Sequence, residues 1–351
     1  MKAWEANVRK VVPYVPGEQP KDKDVIKLNT NENPYPPSPM VKEAIQKLDV
    51  EQFRKYPDPA ITDLVSELAL AYGVEPENVI VGVGSDDVLA MAFMTFFNSK
   101  KPVLFPDITY SFYDVWADLL KIPYETQKLD ENFQIVKEDY MKENGGIIFP
   151  NPNAPTGVLQ DLGTVEEIIS KNKDSIVIVD EAYIDFGGKS ALPLIEKYDN
   201  LLVVQTFSKS RSMAGMRIGY AFGDKKLIKY LNDVKYSFNS YTMNQTSITL
   251  GVACVQDKQY FEDTVQKIIK TREWTKEELN KLGFTFQDSM SNFIFATHKE
   301  KSAQEIYQAL REHKIYVRYF NKPRIDNFLR ITIGTDEEMK QLIAFLKEYL
   351  K

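Results

Sequence analysis

The chain has 351 residues, 43% of them hydrophobic and 27% charged, the balance of a folded protein of about two domains rather than a disordered one. A net charge of -6 and a pI of about 5.3 exclude the basic field of a nucleic-acid binder. The longest apolar run, 88–97, is about half a membrane span; the polar start lacks the apolar core of a signal peptide, and a lone cysteine, Cys254, excludes an intrachain disulfide, so no membrane partner and a reducing, cytoplasmic setting are expected.

Residues 1–34 read as an extended arm rich in Pro and Lys, ending in the turn-forming Asn29-Thr30-Asn31-Glu32-Asn33-Pro34. Helical periodicity at 41–48 and 61–72 leads into an apolar run at 79–81. A helix at 86–97 leads into another at 103–105, and further runs lie at 147–149, 176–179, 201–204 and 218–222. Short continuous apolar runs suit strands buried on both faces, and intervening helices make the sheet mostly parallel. The expectation is an α/β large domain over 35–240, its central sheet flanked by helices.

Beyond 240 the pattern changes. A long polar helix at 259–281 precedes strand-like 292–296, helical 303–313, strand-like 315–317 and 328–333, and a last helix at 336–349. These predict a smaller α+β domain over 241–351.

Four segments carry chemistry. Thr206-Phe207-Ser208-Lys209 follows a buried strand and continues to Arg217. A lysine leaving such a strand among small residues is placed to act as an amine nucleophile, and Ser208 and Arg217 can both donate to a phosphate. Val179-Asp180-Glu181-Ala182-Tyr183 ends an apolar strand in a carboxylate, where ligands of α/β sheets bind. Asp180 there suits a pyridinium nitrogen, with Tyr183 close enough to serve the ring's oxygen; the same pattern also suits a metal-binding carboxylate pair.

Gly82-Val83-Gly84-Ser85-Asp86-Asp87 lies between strand and helix. The third glycine of a dinucleotide fingerprint is missing, which leaves either a phosphate-binding helix N-terminus or an ordinary cap by Ser85 or Asp86. Asn151-Pro152-Asn153-Ala154-Pro155-Thr156-Gly157 is a rigid turn at another strand end, and turn chemistry alone accounts for its composition. Only two histidines occur, His298 and His313. With Cys254 they lack zinc-site spacing, so no metal is expected.

In this order the segments resemble the fold-type I pyridoxal-phosphate (PLP) aminotransferases, and within them the branch acting on histidinol phosphate in histidine biosynthesis. The resemblance also takes in Arg54-Lys55-Tyr56-Pro57-Asp58 and Leu329-Arg330-Ile331-Thr332-Ile333-Gly334, and so nearly the whole chain. It implies PLP carried on Lys209, Asp180 on the ring nitrogen, Tyr183 on the ring oxygen and Tyr110 stacked on the ring. Ser85, Asp86 (through backbone amides), Ser208 and Arg217 would hold the phosphate, and Tyr56 would reach the neighbouring subunit's cofactor in a homodimer. Tyr14, Asn33, Arg318 and Arg330 would contact substrate, the two arginines taking its phosphate and Arg330 a carboxylate of glutamate, the partner of 2-oxoglutarate.

The chain departs from that family at Ala154, where asparagine usually precedes Pro-Thr-Gly; Asn153 is the candidate replacement for the ring contact. Threonine-phosphate decarboxylases and broad aromatic aminotransferases share the cofactor motifs and remain alternatives. A PLP-binding regulator without turnover is a remoter one, because about 35 residues are too few for a DNA-binding domain ahead of this fold.

Overall fold

Apolar runs with polar residues only at their ends become strands covered on both faces. The structure, a computed structural model, describes residues 2–21 and 24–351. After β1 (Ile26–Lys27), seven strands build one sheet: β2 (Val79–Gly82), β3 (Val103–Pro106), β4 (Tyr124–Gln127), β5 (Gly146–Pro150), β6 (Val177–Asp180), β7 (Leu201–Thr206) and β8 (Gly219–Gly223). Their order is β2-β8-β7-β6-β5-β3-β4. Neighbours are parallel except at β8, which runs against both β2 and β7. The sheet is therefore mostly parallel. The edge strand β4 has no apolar run to announce it, since Tyr124, Glu125 and Thr126 face solvent.

The two-residue alternation of a strand sorts side chains into two cores. In β7, Leu201 and Val203 join Ile147, Phe149, Val177 and Val179 on one face. Leu202 and Val204 join Ile148 and Ile178 on the other. Helices Thr62–Tyr72 and Gln245–Gln256 cover the first face through Leu64, Leu68, Ile248 and Leu250. Helices Ser85–Phe96 and Tyr113–Leu120 cover the second through Leu89, Phe93 and Trp116. A truncation such as Leu202→Ala costs about 2–5 kcal/mol at positions this well packed.

The core changes later than position 240. Helix Gln245–Gln256 still packs on the large sheet, whereas helix Lys258–Lys281 turns Val265, Ile268 and Leu279 into a third core. Asp257 lies between the two helices and caps the second by accepting from Tyr260 N. That third core rests on β9 (Phe284–Phe286), β10 (Phe293–His298), β12 (Arg318–Tyr319) and β13 (Leu329–Thr332), an antiparallel sheet in the order β12-β13-β10-β9. β11 (Ile315–Tyr316) pairs in parallel with β1, which stitches the arm to the smaller unit. His298 and His313 serve this unit structurally, bonding the carbonyls of Leu282 and Ala309. Among the described residues no helix is long and apolar enough to cross a membrane.

Candidate active site

The large sheet delivers the carboxyl ends of β2, β3, β5, β6 and β7, and the start of β8, to one edge. A cavity there is lined by Ser85, Asp86, Tyr110, Asp180, Ser208 and Arg217. A second is lined by Tyr14, Asn29, Thr109, Arg318, Phe320 and Arg330. Lys209, Tyr183 and Tyr110 line both, so the two cavities meet at the lysine.

Asp180 is the last residue of β6 and is 4% exposed. It accepts from Tyr113 Oη at 2.9 Å and from Ala182 N at 3.3 Å. Burial raises its pKa to about 6 against those two hydrogen bonds. A carboxylate so placed calls for a cationic partner. Glu181 is engaged elsewhere. Its oxygens accept from Ala191 N (2.6 Å), Ser190 Oγ (2.6 Å) and Gln205 Nε2 (2.9 Å), and burial raises its pKa to about 7. The two carboxylates therefore do not act as a metal-binding pair.

Because β8 returns antiparallel to β7, both ends of the loop 207–218 stand at the cavity. Phe207 N donates to Ile218 O at 3.0 Å, and Met213 N to Phe207 O at 3.0 Å, which closes the loop on itself. Lys209 Nζ donates to Thr30 O at 3.3 Å and lies 5.6 Å from the centre of the Tyr183 ring. Arg217 holds a left-handed backbone (φ +53), a conformation costing about 1–2 kcal/mol for a residue with a Cβ. Its guanidinium donates to Ser208 Oγ and Asp86 Oδ2, each at 3.3 Å.

The helix Ser85–Phe96 starts after Gly84 (φ +86), and no side chain caps it. Asp87 instead accepts from Val83 N, ahead of the helix, at 2.8 Å. The first-turn amides, with the positive end of the helix dipole, are thus presented to the cavity that Ser85 and Asp86 line. Gly219 lets β8 approach this turn, since a Cβ there would lie 2.1 Å from Ser85 N.

Tyr110 donates to Asp86 Oδ1 at 2.8 Å and packs against Phe112, Tyr113 and Trp116. A strap at 29–33 crosses the site. Asn31 Nδ2 donates to Tyr183 Oη at 2.9 Å, and Asn29 O accepts from Arg330 at 3.0 Å. Asn33 was expected at the substrate. Its amide instead donates to the carbonyls of Lys209 (3.0 Å) and Ser210 (3.1 Å), clamping the backbone that carries the amine.

Asn153 does not replace the missing asparagine. Its amide donates to Ile108 O and Thr156 Oγ1, both at 3.0 Å, and Ala154 lines the cavity in its place. Tyr14 stacks on Phe112 at 4.2 Å beside the second cavity. Tyr56 does not line either of these two cavities; it is 82% exposed and packed on Tyr241. Sequence reasoning missed Tyr113, Thr30 and Asn31. Tyr113 stands three residues after Tyr110, at the start of a helix, and that spacing is the one signal that pointed to it.

The sequence profile of the aminotransferase class I and II family matches residues 23–346. The chain belongs to that family. It is 51% identical over 349 residues to the histidinol-phosphate aminotransferase of Lactococcus lactis, covering 99% of this chain and 97% of the relative. It is 53% identical over 346 residues to that of Clostridium beijerinckii, with 99% and 97% covered. Crystal structures of histidinol-phosphate aminotransferases share its fold. The one from Clostridium acetobutylicum has a TM-score of 0.85 at 23% identity, covering 93% of this chain and 99% of that one. The one from Sinorhizobium meliloti, in complex with pyridoxal-5'-phosphate, has 0.85 at 23%, covering 93% and 90%.

PLP is the cofactor of class I and II aminotransferases, and the residues of this cavity fit it. An uncapped helix start with Ser85, Ser208 and Arg217 suits the phosphate. The buried Asp180 suits a protonated ring nitrogen. The Lys209 amine, bonded to one carbonyl at 3.3 Å, is placed to take an aldehyde.

Proposed function

We propose that the protein exchanges an amino group between histidinol phosphate and the glutamate/2-oxoglutarate pair, on PLP held by Lys209, in histidine biosynthesis. The observation that carries the substrate is the pair Arg318 and Arg330. They are direct cross-strand partners on β12 and β13, both line the cavity next to Lys209, and among the described residues neither forms an ion pair with a carboxylate. Burial lowers the Arg330 pKa, with the like charge of Arg318 adding to the effect. Two adjacent guanidinium groups suit a doubly charged phosphate, and Arg330 alone suits a carboxylate of glutamate. Identity above 50% to the Lactococcus and Clostridium enzymes supports the same substrate.

Bound at this site, PLP supplies an aldehyde that carries the amino group and a ring that takes up electrons. Asp180 holds the proton on the ring nitrogen. Tyr183 would donate to the ring oxygen, and Tyr110 would pack on the ring. Lys209 Nζ, which lies at the meeting of the two cavities, would be the base that moves a proton off and onto the amine-bearing carbon of the substrate. Tyr14, from the arm, covers the substrate and excludes water.

The active form is a homodimer in the cytoplasm. Tyr56 packs on Tyr241, and Phe53 and Phe238, each three residues before one of them, are exposed as well, apolar surface suited to a second copy, whose phosphate Tyr56 would reach. The chain's single cysteine, Cys254, is buried, as suits a reducing compartment. Light scattering in solution tests the dimer.

The substrate test adds histidinol phosphate alone to PLP-loaded protein and follows the visible absorption, with L-phenylalanine and threonine phosphate alongside. Rapid conversion to the amine form of the cofactor by histidinol phosphate supports the proposal. Equal conversion by phenylalanine means a broad aromatic enzyme. Decarboxylation of threonine phosphate means the other phosphate-binding branch.

A further inference from the structure

A tyrosine hydroxyl has a single proton, and the surroundings of Tyr183 determine where it goes. Asn31 Nδ2 donates to Tyr183 Oη at 2.9 Å. The orientation of that amide is fixed by its own partners. Thr332 Oγ1 accepts from Asn31 N at 3.0 Å and gives its proton to Asn31 Oδ1 at 3.0 Å. Asn292 Nδ2 holds Asn31 O at 3.0 Å. With Oδ1 taken by the threonine, the end of the amide facing Tyr183 is the donor. The phenol oxygen therefore accepts from Asn31, and its proton is left for an acceptor in the cavity.

The backbone supports the same arrangement. Asn31 has φ +56, a left-handed conformation asparagine adopts more readily than most residues. Thr332 lies on β13 two residues after Arg330, so the small sheet that presents the guanidinium groups also sets the amide. The rings of Tyr183 and Phe293 lie perpendicular with centres 5.1 Å apart, and the charged groups facing Tyr183 are Lys209 and Arg330. At the cofactor's ring oxygen, Ala154 offers no donor and Asn153 is committed to Ile108 and Thr156.

We infer that Asn31 is a positioning residue: by donating to Tyr183 it turns the phenol proton toward the cofactor's ring oxygen, and so offsets the donor absent at Ala154. This rests on the cofactor reading above. A donor to that oxygen stabilises its negative charge, which matters most when the lysine–cofactor linkage is unprotonated. Losing the donor therefore favours the protonated form, and the pH midpoint of the visible band rises.

The test is a pH titration of the visible band in PLP-loaded wild type, Asn31→Gly, Thr332→Val, Tyr183→Phe and the double variant Asn31→Gly/Tyr183→Phe. Glycine keeps the left-handed backbone unstrained. The expected result is a rise on the order of half a pH unit for Asn31→Gly, a smaller rise for Thr332→Val, and no further shift when Asn31→Gly is added to Tyr183→Phe. A wild-type midpoint in Asn31→Gly, or an equal shift with and without the Tyr183 hydroxyl, overturns the inference. If Asn31→Gly does not fold, an unshifted Thr332→Val overturns it. A wild-type protein with no lysine-dependent band would instead overturn the cofactor reading, a separate result.

Discussion

Arg318 and Arg330 stand directly opposite each other on neighbouring antiparallel strands, although like charges in that position weaken a sheet. An anionic ligand offsets the repulsion. Arg318→Met should raise KM for the phosphorylated substrate on the order of 10- to 100-fold, the loss of one charge-assisted contact, and leave KM for glutamate nearly unchanged. Arg330→Met should raise both. Without ligand, melting temperatures should hold or rise. Steady-state kinetics on both substrates, with a thermal scan, check this.

Lys209→Ala should lower turnover by at least about two to four orders of magnitude, the scale of a lost general base, and abolish the lysine-dependent visible band while the fold persists. Wild-type-like turnover in a single-turnover assay would sink the proposed chemistry.

The pKa of Asp180 is raised by burial to about 6, so its proton is held in the folded chain up to that pH. Pairing with a protonated ring nitrogen needs the carboxylate. Cofactor affinity should therefore fall as pH drops below about 6, by about tenfold per pH unit at most for one linked proton. Asp180→Asn should remove this dependence and most of the activity. Equilibrium dialysis across pH reads both.

Glu181 is likewise raised, from 4.5 to about 7. A raised carboxyl contributes stability that is complete below its unfolded pKa and lost as pH rises through the folded one. The melting temperature of the cofactor-free protein should carry a downward component between about pH 4.5 and about pH 7, and Glu181→Gln should remove the part due to Glu181.

A Cβ on Gly219 would meet Ser85 N at 2.1 Å and Gly84 C at 2.2 Å, so Gly219→Ala must push β8 from the helix start. Cofactor binding should weaken by at least about tenfold, or 1.4 kcal/mol, with far-ultraviolet circular dichroism unchanged. Retention of PLP through gel filtration is the readout.

Much of the site was legible in the sequence because strands buried on both faces must be continuously apolar. The polar residues that end such a strand or follow it, Asp180, Ser208 and Lys209, then stand out. Side-chain direction in turns was not legible. Asn31, Asn33 and Asn153 sit in similar Pro-rich turns, and nothing local distinguishes an amide that serves Tyr183 from one that clamps Lys209 or holds Ile108. The partners that decide lie far away in the chain, as Thr332 does for Asn31. The small-unit boundary was displaced for a related reason: helix Gln245–Gln256 has apolar residues for either core, and only packing assigns it to the first.

The lone reversed strand has a metric consequence. In a wholly parallel sheet each strand contributes one loop to the ligand edge, and residues from different loops are spaced by the strands between them. Here one hairpin, 207–218, brings Lys209 near its start and Arg217 near its end. The proposed covalent and ionic anchors are thus set by the register of a single turn, which acts as a ruler. Inserting one residue between Met213 and Gly215 would leave every strand pairing possible, yet the ruler would no longer match the molecule it measures.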